Sequence, residues 1–301
     1  MRMTSDFEGR ERSHGGEGVA VSGLKDSPVS RGVSGTEWTV KVQGLRKRFG
    51  EVCAVDGVDF AVAEGECFGL LGPNGAGKST TIKMLITLLR PDDGEAFVAG
   101  YSVRRAAGRV RGAIGYVPQM LSVDATLTGY ENLLLFSRFF GLPRRVRRER
   151  VEETLESMGL AEAAHRPVRT YSGGMIRRLE IGQAVMHRPK VLFLDEPTVG
   201  LDPVARQGVW DHIRRLQQEA GMTVVMTTHY MEEAESLCHR VAMMSRGRIA
   251  AQGTLEELRL AAGKPEGTLE DVFVHYAGAF EEQGGGMRDV LRSRRTARRL
   301  G

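Results

Sequence analysis

The chain has 301 residues, 42 Lys and Arg against 38 Asp and Glu, and 41% hydrophobic side chains. At about 150 residues per domain this is one large domain or two small ones, with enough apolar material for a buried core. Collagen-like, wholly disordered and coiled-coil chains are excluded by a composition near the globular average, an excess of glycine aside. The net charge is only +4, and most arginines are interspersed with acids, so no nucleic-acid partner is expected.

In chain order, residues 1–35 are rich in Gly, Ser and charge and read as a disordered tail. The opening residues lack an apolar segment and are not read as a secretory signal, which makes cytoplasm the default. Residues 39–49 then alternate like an exposed strand. Residues 52–62 and 66–71 read as further strands split by Gly57 and Gly65, and a helix over 78–90 follows. Apolar residues recur at helical spacing over 131–140 and 147–158, broken by Gly141-Leu142-Pro143, so about 120–170 reads as a helical insertion. Residues 191–194 and 223–228 are short apolar runs of the kind buried parallel strands use, with a helix over 203–220 between them. This order predicts an α/β core. No run reaches the ~18 apolar residues of a membrane span. Cys53, Cys67 and Cys238 show neither disulfide nor zinc spacing and read as reduced thiols.

Gly72-Pro73-Asn74-Gly75-Ala76-Gly77-Lys78-Ser79 matches G-x-x-x-x-G-K-[ST] between a strand and a helix. Backbone N–H groups there can close around phosphate oxygens, with Gly75 and Gly77 read as removing Cβ atoms that would block approach. Lys78 is expected on the β and γ phosphates, Ser79 on Mg²⁺, and Thr80 as one more donor at the helix start. The apolar run 191–194 ends in Asp195 and Glu196. Asp195 can hold Mg²⁺ through water, and Glu196 can take a proton from an attacking water.

With these two elements in place, further motifs give the chain its resemblance to the nucleotide-binding subunit of ATP-binding cassette (ABC) transporters, over about residues 38–258. Tyr171-Ser172-Gly173-Gly174-Met175 resembles the family signature, Gln119 in YVPQ the Q-loop, Leu201-Asp202 the D-loop, and His229 the switch histidine. Phe49 stands where an aromatic stacks on adenine. The resemblance implies an α/β fold: a P-loop NTPase core with a mixed or parallel sheet, an N-terminal antiparallel β-subdomain and the helical insertion. It further implies a homodimer closed around two Mg-ATP, each held between Lys78 of one subunit and Ser172, Gly173 and Gly174 of the other. Glu196 would be the general base, His229 would position water or γ-phosphate, Gln119 would sense Mg²⁺, and Asp202 would couple the two sites. Tyr171 and Met175 depart from the commonest Leu and Gln while the Ser-Gly-Gly is intact.

TLLRPDDGEAFVAGYSV, YSGGMIRRLEIG and TLEDVFVHYAG are similar to daunorubicin-resistance-type exporters, whose ATPase is a polypeptide separate from its permease. The resemblance implies export through an integral membrane permease, with this chain at the cytoplasmic face of the membrane and the insertion receiving the permease. A non-transport ABC ATPase of a soluble or nucleic-acid machine is the alternative. The expected division is a tail over 1–35, a nucleotide-binding domain over 36–258 and an appendage over 259–301 bearing an Arg-rich run from Arg288.

Overall fold

A computed structural model describes residues 38–282, with side chains described to 276. The expected N-terminal tail and the run from Arg288 lie outside the described residues. Strand β1 (Trp38–Phe49) alternates as expected, burying Val40, Val42 and Leu45, and pairs antiparallel with β2 (Val52–Ala63). Gly57 does not split this second run. At φ +71 it lies inside β2 beside the Arg46 guanidinium, where the register of β1 shifts, and so absorbs a bulge. β4 (Asp93–Val98) and the short β5 (Tyr101–Ser102), neither singled out in the sequence, complete a sheet of order β2-β1-β4-β5.

The second sheet has the order β10-β9-β3-β8-β7-β6, built from β3 (Cys67–Leu71), β6 (Ile114–Val117), β7 (Val191–Asp195), β8 (Thr223–Thr228), β9 (Arg240–Ser245) and β10 (Arg248–Thr254). All its pairings are parallel except β9 with β10. Strands covered on both faces need apolar side chains at every position, and β3 and β7 are buried throughout. Alternate residues serve different cores. Phe68, Leu70, Val191, Phe193 and Val225 face α1 (Lys78–Leu85) and the antiparallel sheet, with Phe60 stacked on Phe68 at 5.1 Å. Cys67, Leu71, Leu192, Leu194, Val224 and Met226 face the helices of the other layer. The three cysteines are free, and Cys67 and Cys238 bring their sulfurs within 4.0 Å.

Helix α1 stops at Leu85 and does not run to residue 90. Thr87 turns to φ +67, and the Leu88 and Leu89 amides both return to the Lys83 carbonyl, closing the helix end. A short α2 (Ala107–Ala113) leads into β6. The insertion consists of α3 (Gly129–Phe139), α4 (Arg144–Ser157) and two 3₁₀ turns, Ala161–Ala163 and Val168–Thr170. Thr128 and Glu131 form a capping box that starts α3, and Leu133, Val151, Leu155, Met158 and Leu160 join the larger core. The basic run 144–150 is partly neutralised on its own helix by the Arg148–Glu152 and Arg150–Glu153 pairs.

Helix α5 (Gly173–Val185) follows the insertion, α6 (Pro203–Ala220) links β7 to β8, and α7 (Met231–Leu237) links β8 to β9. After β10 come α8 (Leu255–Ala261) and α9 (Leu269–Glu282). The expected boundary at 258 falls inside α8, and Leu269 and Val272 are fully buried in the same core as Cys67 and Val241. Residues 259–276 therefore contribute to the core of the same domain.

Candidate active site

The site is assembled where parallel strands end. β3 runs into the loop 72–77 and then α1, whose first residue is Lys78. Gly72, Gly75 and Gly77 have φ of +154, +81 and +105, conformations that a side chain opposes. Their reasons differ. A Cβ on Gly77 would sit 2.5 Å from the Ala54 carbonyl oxygen, and one on Gly72 would sit 2.3 Å from that of Met244. Gly77 is thus required by the fold's own packing. A Cβ on Gly75 meets nothing within 4 Å, so packing does not require glycine there.

Lys78 is 4% exposed; its ammonium donates to the carbonyls of Gly72 (2.8 Å) and Pro73 (3.2 Å) and lies 3.6 Å from Glu196. Burial pulls this ammonium below the usual lysine range, against the opposing pull of Glu196 and Asp195. Ser79 donates to Asp195 Oδ1 at 2.9 Å, and Thr227, on the adjacent strand β8, donates to the same oxygen at 2.5 Å. Asp195 and Ser79 form a pair of oxygen donors suited to a hard cation that keeps waters and phosphate oxygens in its shell. Among the described residues no group of three or more His, Cys, Asp or Glu could hold a metal by itself.

Glu196 follows directly and sits at φ +49, held there by its amide, which donates to the Thr227 hydroxyl (3.0 Å) and carbonyl (3.1 Å). A non-glycine residue in this region is held by its surroundings. Its carboxylate accepts from Gln119 Nε2 at 2.9 Å and lies 3.2 Å from His229 Nδ1. Lys78, Ser79, Gln119, Asp195, Glu196 and His229 are therefore one connected constellation, although they span some 150 residues of chain. Phe49 lies at the end of β1, half exposed, with Lys47 Nζ 5.6 Å from its ring centre.

The remaining candidates form a second cluster. Ser172 caps α5, its hydroxyl accepting from the Met175 amide at 3.3 Å, and Asp202 caps α6 by accepting from Ala205 at 2.9 Å. These two helix starts lie against each other. A Cβ on Gly173 would be 3.0 Å from Leu201, and one on Gly174 would be 3.0 Å from Ala205. Ser172, Gly173 and Gly174 make no described hydrogen bond to the 72–80 loop. Tyr171, the departure from the commonest leucine, is buried and donates its hydroxyl to the Ala163 carbonyl at 2.6 Å, tying the signature to the insertion.

Sequence reading missed several residues that hold this arrangement. Arg177, one turn into α5, donates to the carbonyls of Pro118 (2.8 Å) and Gln119 (3.1 Å), and pairs with Glu180 at 3.0 Å. Glu180 in turn accepts from the Ser122 amide (2.5 Å) and hydroxyl (3.0 Å). The segment bearing Gln119 is thus gripped on both sides from the signature helix. Burial pushes the Glu180 carboxyl up, against the stabilising pull of Arg177. Beside this loop, Ile86, Leu88, Tyr116, Phe136 and Phe140 line an open groove, and burial pushes the Tyr116 hydroxyl up to about 12.

The family profile described as ABC transporter matches residues 55–199. The daunorubicin/doxorubicin resistance ATP-binding protein DrrA of Streptomyces peucetius is 48% identical over 224 residues, covering 74% of this chain and 68% of that protein. Nod factor export ATP-binding protein I of Ralstonia nicotianae is 46% identical over 233 residues, 77% and 72% of the two chains. A dimeric ATP-binding cassette in a post-hydrolysis state with ADP and Pi superimposes with a TM-score of 0.64 at 28% identity, covering 72% of this chain and 98% of its own. The fold and site define a P-loop ATPase. The chain belongs to the ATP-binding proteins of ABC transporters.

Proposed function

We propose that this ATPase works as a homodimer closed around two Mg-ATP and drives export of a drug, antibiotic or similar amphiphile through a separate membrane permease. The observation that carries the catalytic part is the connection of Glu196 to Lys78, Gln119 and His229 within 3.6 Å. Phe49 stacks on adenine. The amides of the 72–77 loop and of Thr80, with Lys78, would hold the phosphates, and Ser79, Asp195 and Gln119 would hold Mg²⁺, which would supply neutralisation of charge on the phosphate oxygens. Glu196 accepts a proton from the attacking water, and His229 orients water or γ-phosphate from the other side of the same carboxylate. Ser172, Gly173 and Gly174 offer a second helix start for the partner's nucleotide, with Asp202 alongside to couple the two sites.

The transport part is supported by the relatives' names, drug resistance and Nod factor export. The groove lined by Leu88, Phe136 and Phe140, next to the Gln119 loop, is the apolar surface suited to the permease and would hold the chain at the cytoplasmic face. Movement of Gln119 on γ-phosphate would be passed to that groove through Pro118 and Ser122.

The test is a pull-down from source membranes with tagged Glu196→Gln protein in Mg-ATP, followed by mass spectrometry. Recovery of a small polytopic membrane protein is expected; only ribosomal, DNA-bound or other soluble partners would refute the transport role. Glu196→Gln is also expected to bind ATP while hydrolysing it at least ~100-fold more slowly, within the range contributed by a general base.

A further inference from the structure

We propose that Glu233 is a positioning residue for hydrolysis, holding the segments that carry Glu196, His229 and Asp202 as one unit through a single buried carboxyl oxygen. The proposal rests on the reading of Glu196 and His229 as the hydrolytic pair. Glu233 lies on α7, 1% exposed, and touches none of the residues assigned to nucleotide. Its Oε1 accepts from the Thr198 hydroxyl at 2.7 Å and from Trp210 Nε1 at 3.0 Å. Thr198 is two residues beyond Glu196 in a tight turn, where the Val199 amide returns to the Glu196 carbonyl and that of Leu201 to Thr198. Trp210 is on α6, the helix that Asp202 caps. The Thr228 hydroxyl, beside the same carboxyl, accepts from the Tyr230 amide at 2.9 Å and so shapes the turn that presents His229.

A carboxyl group in this position is expensive to bury. Among the described residues it forms no ion pair, Arg206 supplies only a longer-range attraction, and desolvation pushes its pKa up. A leucine would fill the same space without that penalty. What a leucine cannot do is accept two hydrogen bonds from two different segments, the turn after Glu196 and helix α6. Thr198 is fully buried and Trp210 nearly so, so removal of Oε1 would leave two donors unsatisfied at once and release the Glu196 turn from α6. That turn bonds back to the Glu196 carbonyl while Thr227 holds the Glu196 amide, and the carboxylate must keep its distances to Gln119 and His229 for proton transfer. The chain of support therefore runs from α7, immediately after the switch histidine, to the base itself.

The experiment compares steady-state ATP hydrolysis and ATP affinity of the full chain as wild type, Glu233→Leu, Glu233→Gln and Trp210→Phe. Glu233→Leu is expected to lower kcat at least ~10-fold with KM for ATP within about 3-fold, the signature of a lost transition-state arrangement rather than lost binding. Glu233→Gln, which keeps an acceptor oxygen in place, is expected to restore kcat to within about 3-fold of wild type on the same criterion. Should Glu233→Leu fail to fold, Trp210→Phe removes one donor only and is expected to lower kcat by about 3- to 10-fold at unchanged KM. Wild-type kcat in a folded Leu or Phe variant overturns the proposal, as does a Gln variant as slow as Leu. Glu196→Gln in the same assay separates the two claims: if it hydrolyses ATP at the wild-type rate, the base assignment fails and Glu233 is not at issue.

Discussion

Replacing Arg177 by Met removes the grip of the signature helix on the Gln119 loop and tests how that grip is built. The Arg177 and Glu180 side chains are 4% and 1% exposed, so each is charged in a low-dielectric setting where the other is its main compensation. Without the guanidinium, the Pro118 and Gln119 carbonyls lose their donors, and Glu180 keeps only the Ser122 amide and hydroxyl. Breaking a buried pair in this way costs ~3–5 kcal/mol. At ~2–4 °C of melting temperature per kcal/mol for a domain of this size, the expected drop is ~6–20 °C. The double variant Arg177→Met, Glu180→Leu leaves no orphaned charge and is expected to regain at least half of that loss, since apolar replacement of a whole buried pair is often close to neutral. Thermal and urea unfolding of the wild type, the single variants Arg177→Met and Glu180→Leu, and the double variant measures the coupling directly. Additive losses, with the double variant the least stable of the four, would refute the view that the pair acts as a unit.

The glycine loop gives a contrast within a few residues. Gly77→Ala forces a Cβ to 2.5 Å from the Ala54 carbonyl and is expected to cost both folding stability, by more than ~1 kcal/mol, and ATP binding. Gly75→Ala meets open space and carries only the left-handed backbone penalty of ~1–2 kcal/mol, so a loss of ATP affinity well beyond its stability change would mark the Gly75 amide as a phosphate contact; equal losses would argue otherwise. His187 is stacked on Phe140 at 3.8 Å, and its Nε2 lies 2.9 Å from the Ile114 carbonyl oxygen. Burial holds its pKa below 6.5 against that carbonyl, so the folded state binds fewer protons than the unfolded chain, and stability is lost as pH falls through 6.5 and below. His187→Gln is expected to flatten the fall in unfolding free energy between about pH 7.5 and 5 in urea titrations, and an unchanged slope would remove His187 as a cause.

The sheet strands were legible where burial is symmetric. Continuous apolar runs at 191–194 and 223–228 appear as β7 and β8, because a strand covered on both faces leaves no polar position to blur the pattern. Helix ends were less so. Leu88 and Leu89 extend the apolar content of α1, and nothing in their composition announces that Thr87 will turn left-handed. The C-terminal segment misled for a related reason: Leu269 and Val272 belong to an amphipathic helix whose partner surface, β9, β10 and α7, exists only after folding.

The same distinction separates the site residues that residue type could find from those it could not. Lys78, Gln119, Glu196 and His229 are visible as members of ordered motifs, and their meeting follows from one topological fact. They stand at the carboxyl ends of β3, β6, β7 and β8, which lie side by side in the order β3-β8-β7-β6. Chain order alone would not have set His229 beside Glu196, since β8 is the last of the four in sequence yet enters the sheet between β3 and β7. Thr227, Arg177, Glu180 and Glu233 acquire their roles only from that adjacency. Each sits on a strand or helix adjoining a motif residue, is of a type common anywhere, and is marked as part of the machinery by burial together with a partner far away in the chain. The interior of this site is thus held by residues whose cost to bury is high, and it is that cost, weighed against the hydrogen bonds they make, that identifies them.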